Sequence, residues 1–104
     1  MSDLESFRRR IDAIDDRLLA LLSERFAVIR AVAAYKGPRG IPAVIPERVA
    51  EVRERCAGQA ARHGMEPDFV RRLYALLIEE ACRLEGELMA KADGKDRAGY
   101  TETP

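Results

Sequence analysis

The stretch LLALLSERFAVIRAVAAYK, Leu18 to Lys36, decides the fold of this chain, because its apolar residues recur at helical spacing without Gly or Pro. Alternate steps of four and three extend the repeat back to Leu4. Arg25, in the middle of the stretch, breaks the pattern, since it occupies a place where the repeat predicts a leucine. The helix is easy to predict, but the arginine in its apolar stripe needs an explanation.

This first helix is predicted to be very long. It begins near Leu4, capped by Ser2 or Asp3, and it ends at KGPRG, residues 36–40, where glycine and proline stop a helix. At about 1.5 Å per residue it measures on the order of 50 Å. Such a helix cannot pack fully against the rest of so small a chain, so the sequence predicts a partner helix from another chain.

The rest of the chain predicts two further helices. The segment GPRGIPAVIP, Gly37 to Pro46, holds three prolines and two glycines and is predicted to be a loop. A second helix runs from Pro46 to His63 and stops at Gly64, and a third begins at about Pro67 with a broad apolar face. We therefore predict an all-α fold, a three-helix subunit with one very long first helix.

Length and charge limit the classes of function. The 104 residues are expected to form one helical domain, residues 1–91, followed by a polar tail, residues 92–104, that is predicted to be disordered. Lys plus Arg and Asp plus Glu both number 18, so no net field attracts nucleic acid or an anionic membrane. No apolar run approaches the roughly 20 residues that span a bilayer. Any anion site must therefore be local.

The cysteines and the histidine point away from metal or redox chemistry. Cys56 and Cys82 lack the spacing of a metal site or a CxxC motif, and no secretory signal precedes them. We interpret them as reduced thiols and predict a cytoplasmic protein. With one histidine and no cluster of ligand residues, we expect no metal site.

The apolar stripe of the first helix carries more charge than packing explains. A buried charge costs several kcal/mol unless it is paired, and snorkelling to the edge accounts for one such residue more easily than for four. Three cations and one anion on one stripe suggest a polar pocket set into the interface. The stripe consists of Leu4, Arg8, Ile11, Asp15, Leu18, Leu22, Arg25, Ile29, Val32 and Lys36.

Helix geometry groups these charges. Arg25 and Lys36 are 11 residues apart, close to three turns, so they point the same way with backbones about 16 Å apart and could hold a small dianion. Arg8 lies 17 residues before Arg25, about 25 Å along the helix, and could join that pocket only from an antiparallel partner. Glu85 borders the inner face of the third helix and could meet the cations, or it belongs with the solvated glutamates around it.

The sequence LESFRRRIDAIDDRLLALLSERFAVIRAVAAYK, residues 4–36, resembles the first helix of the all-helical chorismate mutases. In that family an arginine precedes an I-D-x-I-D or similar segment, LLxLLxxR follows, and a lysine closes the helix. PERV at 46–49 and FVRRLYALLIEEACRLE at 69–85 agree in order and spacing. The resemblance covers residues 4–88 and implies an intertwined homodimer with two equivalent sites, each of which takes one arginine from the other subunit.

The resemblance also implies roles for individual residues. Arg25 and, across the interface, Arg8 would bind the substrate carboxylates, and Lys36 would contact a carboxylate and the ether oxygen of the breaking bond. Glu47 would take the ring hydroxyl, and Glu85 would be a second donor to the ether oxygen. The apolar wall would consist of Val32, Ile78 and Ala81.

The family reaction is the pericyclic rearrangement of chorismate to prephenate, an isomerisation in shikimate-derived aromatic biosynthesis that needs no nucleophile, metal or cofactor. Catalysis then consists of holding the enolpyruvyl group over the ring and stabilising charge that grows on the ether oxygen. The planar fork of arginine suits carboxylates, whereas the compact charge of Lys36 suits a single oxygen. Glu85 can donate only when protonated, so we expect activity to fall as pH rises and Glu85→Gln to flatten this dependence.

The loop sequence does not decide which substrate the protein uses. Ala43 and Pro46 stand where the best-known bacterial members tend to carry Asp and Arg, and the loop is shorter. IPAVIPERV, residues 41–49, instead resembles a subgroup with isochorismate pyruvate lyases and 4-amino-4-deoxychorismate mutases. The alternatives are a mutase of chorismate or its amino analogue, a lyase giving salicylate and pyruvate, and a non-catalytic helical dimer whose charges set register. Glu85 favours a mutase, because the lyases compared carry Gln there.

Overall fold

The computed structural model describes the backbone of residues 3–101 and the side chains of residues 3–94. It contains three α-helices, α1 (Asp3–Lys36), α2 (Pro46–Ala60) and α3 (Pro67–Thr101), and short 3₁₀ turns extend α1 and α2 at Gly37–Arg39 and Ala61–His63. No strand occurs within residues 3–101. The prediction of an all-α subunit with one very long first helix is confirmed.

Glycines end the first two helical segments as the sequence predicts. Gly40 and Gly64 take the left-handed conformation, with φ of +67° and +70°, which costs glycine little because it has no Cβ. After α2 the backbone N–H of Met65 donates to the Ala60 carbonyl at 2.9 Å, which satisfies an otherwise free helix-end acceptor. These turns fold the chain back so that α1 and α2 both pack against α3.

The core of the single chain is small. Its buried apolar side chains come from all three helices, but no side chain among the described residues is both large and fully buried. One cluster joins Cys56, Ala60 and Val70, with Val52 and Tyr74 packed against it. The buried apolar residues are Ala33, Cys56, Ala57, Ala60, Val70, Ile78 and Ala81. Glu85 is buried with them, at 5% exposure.

The first half of α1 packs against little of its own chain. Every side chain from residue 3 to residue 21 is exposed, although many are large and apolar. The radius of gyration is 19.0 Å, whereas a compact domain of this length measures about 13 Å. The apolar side chains left exposed in this half are Leu4, Phe7, Ile11, Ile14, Leu18, Leu19 and Leu21.

Three smaller expectations concern the tail, the thiols and the membrane. The helical backbone of α3 continues to Thr101, into the segment where composition predicts a disordered tail. Residues 102–104 lie outside the described part of the chain, so the boundary at residue 91 stays a prediction. Cys56 and Cys82 are both free thiols. Within the described chain, none of the helices combines the length and apolar character that crossing a bilayer requires.

Candidate active site

A cavity of about 330 Å³ lies between the second half of α1, the start of α2 and the middle of α3. Each helix contributes a stripe in which residues recur three and four positions apart, and each stripe contains charge. The stripe of α1 is Arg25, Val28, Ile29, Val32 and Lys36; the stripe entering α2 is Ile45, Arg48, Val49 and Val52; the stripe of α3 is Ile78, Ala81, Cys82 and Glu85. Charged groups from three helices therefore share one otherwise apolar cavity.

Lys36 ties three parts of the chain together at the cavity wall. Its Nζ donates to Glu85 Oε1 at 2.8 Å and to the Ala43 carbonyl oxygen at 3.0 Å. The two side chains are only 13% and 7% exposed, so this ion pair is largely shielded from solvent. Removing one member of such a pair typically costs about 3–5 kcal/mol, because the other charge stays buried. The pair thus fixes the end of α1, the loop and α3 relative to one another.

Arg25 lies on the opposite part of the α1 stripe and is incompletely bonded. Its Nη1 is buried and has no hydrogen-bond partner among the described residues. Its guanidinium carbon lies 6.0 Å from the centroid of the Tyr74 ring, an arrangement that favours a cation. A buried donor without an acceptor costs about 1–3 kcal/mol. An anionic acceptor in the cavity would remove that cost.

Two further groups near the cavity stay protonated at neutral pH. Burial, with help from a hydrogen bond to Cys56, raises the pKa of Tyr74 above its usual 10.0. Burial and the neighbouring Glu85 carboxylate raise the pKa of the Cys82 thiol above its usual 9.0, and Lys36 offsets part of this. Neither group is activated as a nucleophile, because a nucleophile needs a lowered pKa or an adjacent base.

Most of the predicted site residues meet in this cavity. Six of the eight line it: Arg25, Val32, Lys36, Ile78, Ala81 and Glu85. Arg8 does not, because it lies in the exposed first half of α1. Glu47 is also exposed and lies in the first turn of α2, beside Arg48. The roles assigned to these eight residues stay predictions.

The sequence interpretation missed three groups at the cavity: Arg48, Cys82 and the carbonyl of Ala43. Arg48 could have been found, because it interrupts the apolar repeat of Ile45, Val49 and Val52 in the same way that Arg25 interrupts that of α1. The Ala43 carbonyl carries no such signal, since every residue has one.

Comparison with known proteins gives the family of this chain. Residues 7–86 match the family model for chorismate mutase type II. A 4-amino-4-deoxychorismate mutase of Streptomyces pristinaespiralis is 39% identical over 87 residues, covering 84% of this chain and 67% of that protein. One of Streptomyces venezuelae is 36% identical over 90 residues, covering 86% and 87%. A chorismate mutase of Methanocaldococcus jannaschii is 28% identical over 94 residues, covering 90% and 95%.

This chain belongs to the chorismate mutase type II family. Its class of activity is therefore that of the chorismate mutases, which are isomerases. The family resemblance and the interpretation as an enzyme are both confirmed. A dicarboxylate of the chorismate type fits a cavity whose charged groups are mainly cationic.

Proposed function

We propose that this protein is a homodimeric mutase that rearranges 4-amino-4-deoxychorismate. The observation that carries the proposal is Arg25, a half-buried cation in a cavity lined by three helices, whose buried Nη1 has no hydrogen-bond partner among the described residues. The substrate is proposed because two relatives that share more than a third of their aligned residues with this chain bear that name.

The residues of the cavity fit a reaction without a covalent intermediate. Arg25 binds a carboxylate with its planar fork, and Lys36 lies where a single ammonium can face both the ether oxygen and a carboxylate. The apolar wall of Val32, Ile78 and Ala81 holds the ring and excludes water, which strengthens each electrostatic contact. Rate acceleration comes from orientation and from positive charge at the oxygen on which negative charge develops.

The ring substituent distinguishes the amino substrate from chorismate. Glu47 is an exposed residue that directly precedes Arg48, which lines the cavity, and it is the acceptor proposed for this substituent. An ammonium forms an ion pair with a carboxylate, whereas a hydroxyl donates to the same carboxylate as a neutral group. Glu47 therefore favours the amino compound over the hydroxyl compound, and Glu47→Gln should reduce that preference.

The exposed half of α1 supports the homodimer. Seven large apolar side chains lie exposed along residues 4–21, and burying each one contributes about 1.5–3 kcal/mol. A second copy is the occupant that fits, because it covers both exposed halves at once and brings its own Arg8 toward the first copy's cavity. Arg8 cannot reach that cavity within its own chain, since it lies about 25 Å from Arg25 along one rigid helix.

The first test is product analysis after separate incubation with 4-amino-4-deoxychorismate, chorismate and isochorismate. We expect the amino compound to have the highest kcat/KM. Preference for chorismate would replace the proposed substrate with that of the Methanocaldococcus relative. Salicylate and pyruvate from isochorismate would establish the lyase alternative, and three intact substrates beside a folded dimer would favour the non-catalytic one.

A second test addresses the position of Arg8 across the interface. Arg8→Ala and Arg25→Ala are each expected to be inactive as homodimers. After the two variants are mixed and refolded together, about half of the dimers are heterodimers, and each heterodimer has one intact site of two. The mixture should therefore recover about a quarter of wild-type activity. No recovery, with heterodimers verified by mass spectrometry, would place both arginines in the site of one chain.

A further inference from the structure

We infer that Arg48 is a further substrate-binding residue, which holds one carboxylate of the dicarboxylate from the α2 side of the cavity. The inference deepens the proposed function and rests on it, because it assumes that a dianion occupies this cavity. Arg48 lines the cavity from the first turn of α2, whereas Arg25 lines it from α1.

The pattern of α2 gives the first reason. Ile45, Val49 and Val52 face the cavity, and Arg48 stands between them in the same repeat. A purely structural residue at that position would be apolar, since its neighbours three positions before, one after and four after all are. The interruption is of the same kind as that of Arg25 in α1, whose Nη1 atom is buried.

The balance of charge gives the second reason. The cavity is lined by three cations, Arg25, Lys36 and Arg48, and by one anion, Glu85. Lys36 and Glu85 neutralise each other at 2.8 Å. Among the described residues, Arg25 has no acidic partner lining the cavity, and Arg48 is paired with Glu51, which does not line it. Two arginines on different helices can therefore meet the two negative charges of a dicarboxylate.

The third reason is that Arg48 is available. Its Nη1 donates to Glu51, three residues further along α2, and the two side chains are 60% and 66% exposed. An exposed ion pair of this kind contributes little, because water solvates both charges well. A substrate carboxylate can replace Glu51, and the position of Arg48 at the N-terminal end of α2 also favours an anion there.

Arg48→Gln and Glu51→Gln together test the inference in the full-length protein. Arg48→Gln should raise KM for the substrate that the wild type converts by about 10–100-fold, the loss expected for a hydrogen bond to a charged group, and should change kcat less. Glu51→Gln breaks the same ion pair but leaves Arg48 free, so its KM should stay the same or fall. Arg72→Gln, at an exposed position of α3 away from the cavity, is the control.

Binding of prephenate, measured by calorimetry, provides a readout that does not depend on turnover. Arg48→Gln should weaken it at least tenfold, and Arg48→Lys should fall between wild type and Arg48→Gln because it keeps the charge but loses the fork. Equal effects of Arg48→Gln and Glu51→Gln, or unchanged prephenate binding in Arg48→Gln, would overturn the inference. If Arg48→Gln does not fold, an unchanged KM in Arg48→Lys overturns it instead.

The same measurements separate the two proposals. A wild type that converts none of the three substrates, yet binds prephenate in a way that requires Arg48, contradicts the proposed function and supports the inference. A wild type that turns over, with KM and prephenate binding unaffected by Arg48→Gln, contradicts the inference alone.

Discussion

The two halves of α1 carry the same apolar repeat in different surroundings. From residue 3 to residue 21 every side chain is exposed, including Phe7 and Ile14 at 53% and 52%. From Leu22 onward the stripe is half-buried, and Ala33 is buried at 3% exposure. Sequence periodicity alone cannot separate these halves, because it reports which face is apolar and not what covers it.

The difference shows how one helix can serve two purposes. The second half packs against α3 and builds the cavity from residues of its own chain, with Arg25 and Lys36 inside it. The first half has nothing from its own chain to cover it, and on the proposed dimer it provides the interface together with Arg8. Substitutions in the two halves should therefore fail in different ways.

The largest effect is expected in the second half. Arg25→Ala should lower kcat/KM about a thousandfold, at the upper end for removing one preorganised donor, while the dimer persists. Arg30→Ala, an exposed position on the same helix, is the matched control. Steady-state kinetics and analytical ultracentrifugation give the two readouts. An altered assembly state in Arg25→Ala would instead indicate that the arginine sets helix register.

In the first half the expected failure is assembly. Ile14→Asp places a charge on the exposed apolar face and should weaken dimerisation by about 100-fold, comparable to losing the burial of one large side chain. Activity should then depend steeply on protein concentration. Ala20→Asp is the control, because residue 20 lies two positions from Leu18 and so on the other side of the helix. An unchanged dissociation constant for Ile14→Asp would contradict the proposed interface.

A smaller effect should follow when the cavity is filled. A dicarboxylate mimic of the transition state should stabilise the protein by about 2.7 kcal/mol at 100 times its dissociation constant. Differential scanning fluorimetry measures the rise in Tm, which Arg25→Ala should abolish and Arg30→Ala should preserve. The absence of any shift at saturating ligand would count against an anion site in the second half of α1.

The smallest expected effect concerns Glu85, which faces the second half of α1 through Lys36. In its ion pair with Lys36, Glu85 is a carboxylate that can only accept, so the neutral-donor hypothesis requires this pair to take up a proton when substrate binds. The amide of Glu85→Gln always donates. We expect the variant to differ from wild type by less than about tenfold at neutral pH and to have a flatter pH profile. Identical profiles for the two proteins would refute the role of Glu85 as a neutral donor.

The sequence predicts the helices well because their ends are set locally. KGPRG closes α1 and Gly64 ends the second segment wherever the helices later pack. The sequence also indicates that Arg25, Lys36 and Glu85 could share one pocket, and all three line the same cavity. The reason is that a charged residue within an apolar stripe usually needs a polar partner or a ligand. The same reasoning applied to α2 would have predicted that Arg48 lines the cavity.

The remaining features depend on three-dimensional packing that no local pattern encodes. The Ala43 carbonyl bonds to Lys36 because of the path of the loop, and a backbone group has no signature in the sequence. The exposure of Glu47 depends on how α2 is rotated as it leaves that loop. The described residues leave the first half of α1 exposed, and the proposed second copy that would cover it has no signature in a local pattern.

The unbonded Nη1 of Arg25 has a consequence for engineering. A buried donor without an acceptor lowers the free energy of unfolding of the ligand-free protein. The Tm of Arg25→Met should therefore be a few degrees higher, as expected for about 1 kcal/mol in a domain of this size. Selection for heat resistance alone would therefore favour loss of this arginine. Such a selection must also measure activity, because the most thermostable variants would include inactive ones.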